Sequence, residues 1–435
     1  MKKNEKFLFG EFPPVSAEEW KEKIIADLKG IPYDTLITKT LEGIEIQPFY
    51  HRETYRYIPF SYRPRGFKIV RPLIAPPGEE EITRAKSEKI DILRVETDIP
   101  PVAKPHGKLR LAVTAPQMNE SLARQLSDAR IDFSFNPLTR LVRRGAWQKS
   151  EKDDFRRFMD ALNRYPAMQV EIDAAAPQNA GAHIVQQIAF ALSQANDLTE
   201  RVGKAVIPRI RFKTAVGYHY FFEMAKFKAL RYLWHKLSKR KRTRIYAEPS
   251  LRNKSVLDPY MNMLRTGMES MAAVLGGADE VGNYPYDYLM NGGTSHSRRL
   301  ASNQLILLKT EAKFQAAAGA TEKSYYIEHI AYELARRALE LWKEWEKRGN
   351  FTRNFLSATI QSAVRNTAQI EQAWFDEGKL TLTGVNKYPL ENEMPSPARI
   401  PIPSEDVKER IAEPLRLRRL AEKIELTRFR QNEKR

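Results

Sequence analysis

Short runs of apolar and β-branched residues alternate with longer amphipathic stretches through most of the chain after residue 66. The short runs have the composition and length of strands, and the longer stretches repeat apolar residues at helical spacing. Eight such runs favour a (β/α)8 TIM barrel, an α/β fold, over an open sheet. We predict strands near residues 67–75, 90–96, 108–114, 131–135, 168–174, 206–213, 244–248 and 280–285.

The segments on either side of this region predict helical extensions. Ser16, followed three residues later by Glu19, forms a capping-box pattern for a helix over 17–29. After residue 350 the pattern predicts a helix over 353–376, and a proline-rich linker then leads to a basic helix over 405–430. The apolar stripe of that last helix is Ile411, Leu415, Leu417 and Leu420. We divide the chain into an N-terminal arm (1–65), the barrel (66–350), a barrel-closing helical segment (351–394) and a linker with the basic helix (395–435).

Composition narrows the chemistry that the chain can carry. The 435 residues include no cysteine, which excludes disulfides, thiolate metal sites and a cysteine nucleophile. The seven histidines include no pair at a metal-ligand spacing such as H-x-x-x-H, so we expect no metal site. No apolar run approaches the roughly 20 residues that span a bilayer, and no apolar signal segment follows the basic start of the chain. We expect a cytoplasmic protein without a membrane segment.

The net charge of +18 raises three interpretations. The densest basic cluster is Lys236 to Arg244, and clustered cations bind nucleic acid in many proteins. No nucleic-acid-binding motif frames this cluster, so a solvated helix end leading into a strand is the interpretation that we favour. A surface for an acidic partner or for a phosphate-bearing ligand is the third.

The stretch from Asp258 to Asn303 has the most specific pattern in the chain. It predicts a helix, a strand and a second helix, which is the unit of an α/β fold. Its pattern N-x-x-R-T-x-x-E-[AS]-M-A-A-x-x-G-G resembles the substrate-binding barrel of the cobalamin-dependent acyl-CoA mutases, the methylmalonyl-CoA mutase family above all. The matching residues are Asn262, Arg265, Thr266, Glu269, Ser270, Met271, Ala272, Ala273, Gly276 and Gly277.

The resemblance extends over residues 7 to 394 and is strongest to the small, non-catalytic subunit of heterodimeric enzymes of this family. The N-terminal arm matches F-P-x-V-S-x-x-x-W, and in the family this arm embraces a partner subunit. The resemblance therefore implies that Phe12 and Trp20 are interface residues, and the alternative is ordinary packing on the chain's own barrel.

The residues that carry catalysis in the family are replaced in this chain. After the fifth predicted strand, the family's G-Y-H-x-Q-E-A-G-A is AAAPQNAGA here, with Ala176 at the position of the catalytic histidine and Asn179 at that of the glutamate. Gln178 is retained. A second GYH, ending at His219, aligns with a later helix, and we do not interpret it as catalytic. In the CoA-contacting P-R-x-S, Arg209 remains and Arg211 stands in place of serine.

The resemblance also defines the cofactor and the partners that we expect. Catalytic members hold adenosylcobalamin with a C-terminal flavodoxin-like domain carrying D-x-H-x-x-G, a motif that these 435 residues do not contain. We expect no such domain here and no ligation of the cofactor's cobalt by this chain. Glu269 and Ala272 match positions that face the corrin, and Arg209 and Gln178 match substrate-CoA positions. Their alternative interpretation is that they are only scaffold.

The resemblance therefore implies the role of a small, non-catalytic subunit in an adenosylcobalamin-dependent enzyme of the methylmalonyl-CoA mutase family, whose large subunit would interconvert (R)-methylmalonyl-CoA and succinyl-CoA. One alternative is the barrel half of a split mutase that pairs with a separate cobalamin-binding protein. The other, from a different class, is a basic nucleic-acid-binding protein, which would bind with affinity that falls steeply with salt.

Overall fold

A parallel eight-stranded barrel forms the body of the molecule. The computed structural model describes residues 13–432 apart from 63, 100, 102, 118–119, 126–130, 318–321 and 391–408. The barrel strands are β1 (Lys68–Leu73), β2 (Ile92–Glu96), β3 (Arg110–Ala115), β4 (Ile131–Phe135), β5 (Val170–Asp173), β6 (Ile210–Val216), β7 (Ile245–Pro249) and β8 (Glu280–Gly282).

Parallel pairing runs around the whole ring. Strands β1 to β4 pair in sequence, β5 to β8 do the same, and β8 returns to β1. The ring closes between β4 and β5, where the Gln169 N–H donates to the carbonyl oxygen of Phe133 at 2.8 Å. This order confirms the predicted (β/α)8 TIM barrel. Parallel strands all end at one face, and in this fold the functional residues lie at that C-terminal end.

The strands are buried on both faces, but the two faces differ in chemistry. Along β5, Val170 and Ile172 join the large apolar core cluster, whereas the alternating positions Glu171 and Asp173 are charged and also buried. Since successive side chains in a strand point to opposite faces, the charged positions share one face and the apolar positions share the other. The apolar face packs against the surrounding helices.

Sixteen α-helices lie in the described part of the chain. They are α1 (Ala17–Asp27), α2 (Glu79–Ser87), α3 (Glu120–Gln125), α4 (Pro137–Arg144), α5 (Glu151–Arg164), α6 (Ala175–Ala180), α7 (Ile184–Val202), α8 (Tyr220–Ser238), α9 (Pro259–Leu275), α10 (Tyr288–Asn291), α11 (Ser295–Thr310), α12 (Phe314–Ala317), α13 (Tyr325–Arg348), α14 (Phe351–Leu356), α15 (Thr359–Asp376) and α16 (Glu422–Asn432). None of these helices has the length and apolar composition that a bilayer crossing requires.

The predicted N-terminal helix forms with its capping box. The Ser16 Oγ accepts from the Glu19 N–H at 3.2 Å, and the Glu19 carboxylate accepts from the Ser16 N–H at 2.8 Å. The helix ends at Asp27, two residues before the predicted end, and buries none of its side chains. A hairpin of two short strands, Thr38–Lys39 and Glu45–Ile46, follows it.

The sixth strand begins later in the chain than the sequence predicts. The sequence placed it over 206–213, but Lys204–Arg209 forms a 3-10 helix and β6 begins at Ile210. Pro208 lies inside this short helix. Proline has no N–H for a sheet and its φ is close to that of a helix, so the strand starts only after it.

The C-terminal region differs most from its prediction. The helix predicted over 353–376 is divided between α14 and α15 at Ala358, which has a left-handed φ of 58°. The basic helix predicted over 405–430 is wrong for its described first half, because helix α16 begins only at Glu422. Pro414 stands in the middle of the predicted stripe, and a proline there removes a helical hydrogen bond and clashes with the preceding turn. We call residues 409–421 the C-terminal strap.

Candidate functional site

The axis of the barrel is occupied by a buried ion cluster from four strands. The Arg94 Nη2 donates to Glu171 Oε1, and the Arg211 Nε lies 3.1 Å from Glu171 Oε2. The Arg211 Nη2 also donates to Ser134 Oγ at 3.0 Å. All four side chains are at least nine-tenths buried. We call Arg94, Glu171, Arg211 and Ser134 the axial cluster.

Opposite charges determine the ionisation of this cluster. Burial raises the pKa of Glu171, but the guanidinium groups of Arg94 and Arg211 outweigh it and lower that pKa below its ordinary value. Burial lowers the pKa of Arg94, but Glu171, Tyr246 and Glu248 together outweigh this effect and raise that pKa above its ordinary value. For Arg211 burial is the larger effect and lowers the pKa, although Glu171 acts against it. The Glu171 carboxylate thus lies between two guanidinium groups that stabilise its charge.

A second set of ion pairs lies nearer the C-terminal end of the barrel. Arg143 donates to both Glu96 and Asp173, and the Lys213 Nζ lies 2.9 Å from the Glu248 carboxylate. Burial raises the pKa of Asp173, but Arg143 and Lys213 outweigh it and lower that pKa to about 2. Asp173 Oδ1 also accepts from the N–H of Ala175 at 3.0 Å and so begins helix α6.

Helix α6 brings together the three positions that match the family's catalytic motif. Ala176 is half-buried and offers only a methyl group. The Gln178 side chain is buried, and its Oε1 accepts from Ser250 Oγ at 2.9 Å. The Asn179 Oδ1 accepts from the Leu251 N–H at 2.9 Å. The two polar side chains therefore connect the end of β5 to the end of β7.

The strap lies across this same end of the barrel, a position that the sequence did not predict. Its backbone N–H groups donate to carbonyl oxygens that follow β4, β5 and β7, and the Arg418 N–H reaches Asn179 at 3.0 Å. The Arg252 Nη1 donates in turn to the Arg418 carbonyl oxygen at 2.6 Å. The strap thus bridges the loops that follow β4, β5 and β7 at the C-terminal end.

The two residues predicted to contact CoA lie at opposite ends of the barrel. Gln178 follows β5 at the C-terminal end, whereas Arg209 precedes β6 at the N-terminal end. The Arg209 Nη1 donates to the carbonyl oxygen of Leu162 at 2.6 Å. The structure therefore does not bring these two side chains together, and their role in CoA binding stays a prediction.

The predicted corrin-facing residues lie inside helix α9, and both are buried. Glu269 Oε2 accepts from the Lys254 Nζ at 2.8 Å and Oε1 from Asn253 at 2.7 Å, while Ala272 belongs to the hydrophobic core. Burial lowers the pKa of Lys254 to about 8, although Glu269 partly offsets this effect. Burial raises the pKa of Glu269, with Lys254 acting against it.

Trp20 and the basic cluster are on the surface. About half of the Trp20 side chain is exposed, and its ring stacks on Phe49 with centroids 5.2 Å apart. Phe12 lies outside the described residues. Helix α8 ends at Ser238, and Lys239–Arg242 form an exposed connection before β7. Exposure agrees with a solvated helix end and equally with a binding surface, so the role of the cluster stays a prediction. No group of three or more metal-ligating side chains occurs among the described residues.

The alternation of charged residues along β5 and β6 is the sequence signal for the ion clusters. Glu171 and Asp173 alternate along β5, and Arg211 and Lys213 alternate along β6. Charged residues at every second position of a strand that is buried on both faces must face one another inside a closed barrel. The positions of opposite charge on neighbouring strands therefore indicated a filled interior.

Comparison with known proteins agrees with the barrel and with the motif near its C-terminal end. The family profile described as methylmalonyl-CoA mutase matches residues 133–429. The chain is 29% identical to the methylmalonyl-CoA mutase small subunit of Porphyromonas gingivalis, over 86% of this chain and 69% of that protein.

Other relatives match a shorter part of the chain. The methylmalonyl-CoA mutase of Rhizobium meliloti is 32% identical over 50% of this chain, which spans 33% of that protein. Among solved structures, the dihydropteroate synthase of Thermus thermophilus is 13% identical, with 56% of this chain and 94% of that chain covered at a TM-score of 0.33. We draw no argument from that similarity.

Proposed function

Because this chain belongs to the methylmalonyl-CoA mutase family, we propose that it is a small, non-catalytic subunit of an adenosylcobalamin-dependent methylmalonyl-CoA mutase. In the proposed assembly a large subunit interconverts (R)-methylmalonyl-CoA and succinyl-CoA, and this chain stabilises it. The similarity to the small subunit from Porphyromonas gingivalis supports the choice of this role within the family.

One observation carries the non-catalytic part of the proposal. Helix α6 presents Ala176 where the family motif has histidine, and an alanine can neither transfer a proton nor hydrogen-bond a substrate carbonyl. Asn179, at the position of the family's glutamate, uses its side chain to hold Leu251. Both positions of the motif therefore serve the scaffold.

The interior of the barrel supports the same role. An acyl-CoA that entered along the axis would have to displace Arg94, Glu171 and Arg211, which are charged, paired and buried. Breaking a buried ion pair leaves an uncompensated charge, which costs about 3–5 kcal/mol. The axial cluster therefore opposes entry of a substrate.

The residues at this end do not fit adenosylcobalamin. The Glu269 carboxylate accepts hydrogen bonds from Lys254 and Asn253, and Ala272 is fully buried. Neither Glu269 nor Ala272 is therefore free to contact a corrin. The family generally depends on this cofactor, which supplies the radical that starts the rearrangement. We assign its binding to the large subunit and derive no catalytic step in this chain.

The N-terminal arm is the part that we assign to the partner. Helix α1 buries none of its own side chains. Apolar side chains on and beside it are 39% to 56% exposed, namely Val15, Trp20, Ile25, Ile31 and Leu36. A partner that covers them would stabilise the folded complex by mass action, because it binds the folded chain only.

Co-expression with a large subunit from the same genome tests the proposal. We expect affinity purification of this chain to yield a one-to-one complex with adenosylcobalamin-dependent mutase activity, and this chain alone to show no turnover. Turnover by this chain with cobalamin and no large subunit would contradict the proposal. Purification of the chain alone, with calorimetric binding of cobalamin or CoA, would instead support the barrel half of a split mutase.

A further inference from the structure

The strap is attached to the barrel through its backbone along its whole length. The N–H groups of Ile411 and Ala412 donate to the Gly145 carbonyl oxygen at 2.8 and 3.1 Å, and that of Leu415 donates to Val142 at 2.9 Å. Farther along, the N–H of Leu420 donates to the backbone carbonyl oxygen of Arg252 at 3.0 Å. Backbone hydrogen bonds therefore direct the path of the strap over the loops that follow β4, β5 and β7.

Buried charges fix the C-terminal end of the strap. The Arg419 Nη2 lies 2.7 Å from Glu425 Oε2, and both side chains are buried. The Glu425 Oε1 also accepts from Ser255 Oγ at 2.7 Å, in the loop that follows β7. Since an unpaired buried charge is costly, this end holds the strap in one position.

Close packing fixes its other end. Gly145 closes helix α4 with a φ of 70°, and a Cβ at this position would lie 2.0 Å from the Ala412 carbonyl oxygen. That distance is far below any van der Waals contact, and the atom it meets belongs to the backbone. Any side chain at position 145 must therefore push the strap away from the barrel.

The strap runs over the loops of three strands at the end of the barrel at which proteins of this fold bind their ligands. Its Arg418 N–H donates to the carbonyl oxygen of Asn179, one turn from Ala176 on helix α6. We propose that the strap is an intramolecular plug, which occupies the C-terminal end of the barrel and keeps ligands and other protein domains out of it. This inference goes beyond the subunit role, and it is tested on the chain without any partner.

The test combines a variant that displaces the strap with a labelled cysteine on helix α6. Gly145→Ala should displace the strap, and Ala176→Cys places a unique thiol beside Asn179, because the chain has no cysteine of its own. We expect amide exchange in peptides covering 411–420 to be slow in the Ala176→Cys protein. Adding Gly145→Ala should accelerate that exchange and the labelling of Cys by a fluorescent maleimide, each by about tenfold or more.

Gly378→Ala is the matched control. Gly378 also follows a helix and has a φ of 75°, but a Cβ there meets no atom within 4 Å. It therefore imposes the same backbone strain without contact to the strap, and it should change neither rate. Slow amide exchange in β5 should show that the barrel stays folded in every variant.

Three results would contradict the proposal that the strap is a plug. They are fast exchange of 411–420 in the unaltered chain, no acceleration by Gly145→Ala, and equal labelling of the thiol whether or not the strap exchanges faster. None of them bears on the subunit proposal, which copurification with the large subunit tests.

Discussion

The two ends of this chain treat their apolar and charged side chains in opposite ways. The arm around helix α1 leaves apolar side chains such as Trp20 exposed and buries none of the helix. The strap and helix α16 bury Leu420, Arg419 and Glu425 against the barrel. The C-terminal extension therefore buries part of its side chains against the chain itself, although Ile411 and Leu426 stay exposed. In the proposed assembly, a second molecule covers the N-terminal arm. Exposed apolar surface that is this concentrated usually marks an interface.

The largest effect should come from the buried pair at the end of the strap. Arg419→Ala leaves the Glu425 carboxylate buried without its cation, so we expect a loss of about 3–5 kcal/mol in the free energy of unfolding. Denaturant unfolding followed by circular dichroism measures it. A loss below about 1 kcal/mol would show that this end is not held as we describe.

A substitution in the arm should weaken partner binding more than it lowers the free energy of unfolding of the chain alone. Trp20→Ala removes a half-exposed ring from an unburied helix, so the free energy of unfolding of the chain alone should change by less than about 1 kcal/mol. In the proposed complex the same change should weaken binding of the large subunit by about 2 kcal/mol, or about thirtyfold in Kd. Surface plasmon resonance measures the binding, and an unchanged Kd would remove Trp20 from the interface.

A control for that prediction is Trp345→Ala. Trp345 is buried, so its loss should destabilise the chain by about 3–5 kcal/mol. The two variants therefore distinguish a tryptophan that stabilises the fold from one that contacts the partner.

Lys254 makes the stability of the strap-bearing end depend on pH. Its pKa falls from 10.5 to about 8 on folding, because burial penalises the charged form. Between these values the unfolded chain binds more protons, so this group's contribution to stability rises from pH 8 to 10.5 and is lost as pH falls through 8. Its size should be on the order of 3 kcal/mol.

Unfolding at several pH values measures this contribution as the difference between the unaltered chain and Lys254→Met. Lys23→Met, at an exposed lysine, is the control and should leave the pH dependence unchanged. A difference that stays flat between pH 8 and 10.5 would contradict the prediction.

The smallest effect should come from the exposed ion pair of the strap. Arg365 pairs with Glu413, and each side chain is at least 40% exposed. Arg365→Ala should therefore cost less than about 1 kcal/mol, in contrast to Arg419→Ala. Equal losses from the two variants would mean that burial does not distinguish the two contacts.

The barrel was predictable because each strand and helix carries its own local signal. The strand pattern over 131–135 reproduces β4 without error, and the capping box at Ser16 begins α1 as expected. The strap was not predictable in this way. Ile411 and Leu415 repeat at helical spacing, but Pro414 excludes a helix and the N–H groups find acceptors on the barrel instead. Local spacing does not distinguish a helical stripe from an extended segment that lies on a surface.

The sequence by itself determined the order of strands and helices, the loss of the histidine at Ala176, and the similarity to the mutase family, because each depends on residues that are near one another in the chain. Only the tertiary structure decided which charges meet and which extension is buried. Arg94 and Glu171 are 77 positions apart, and Gly145 and Ala412 lie far apart in the chain. Such contacts form when the barrel closes, since closure brings all strand ends to a common axis where unpaired charge cannot remain.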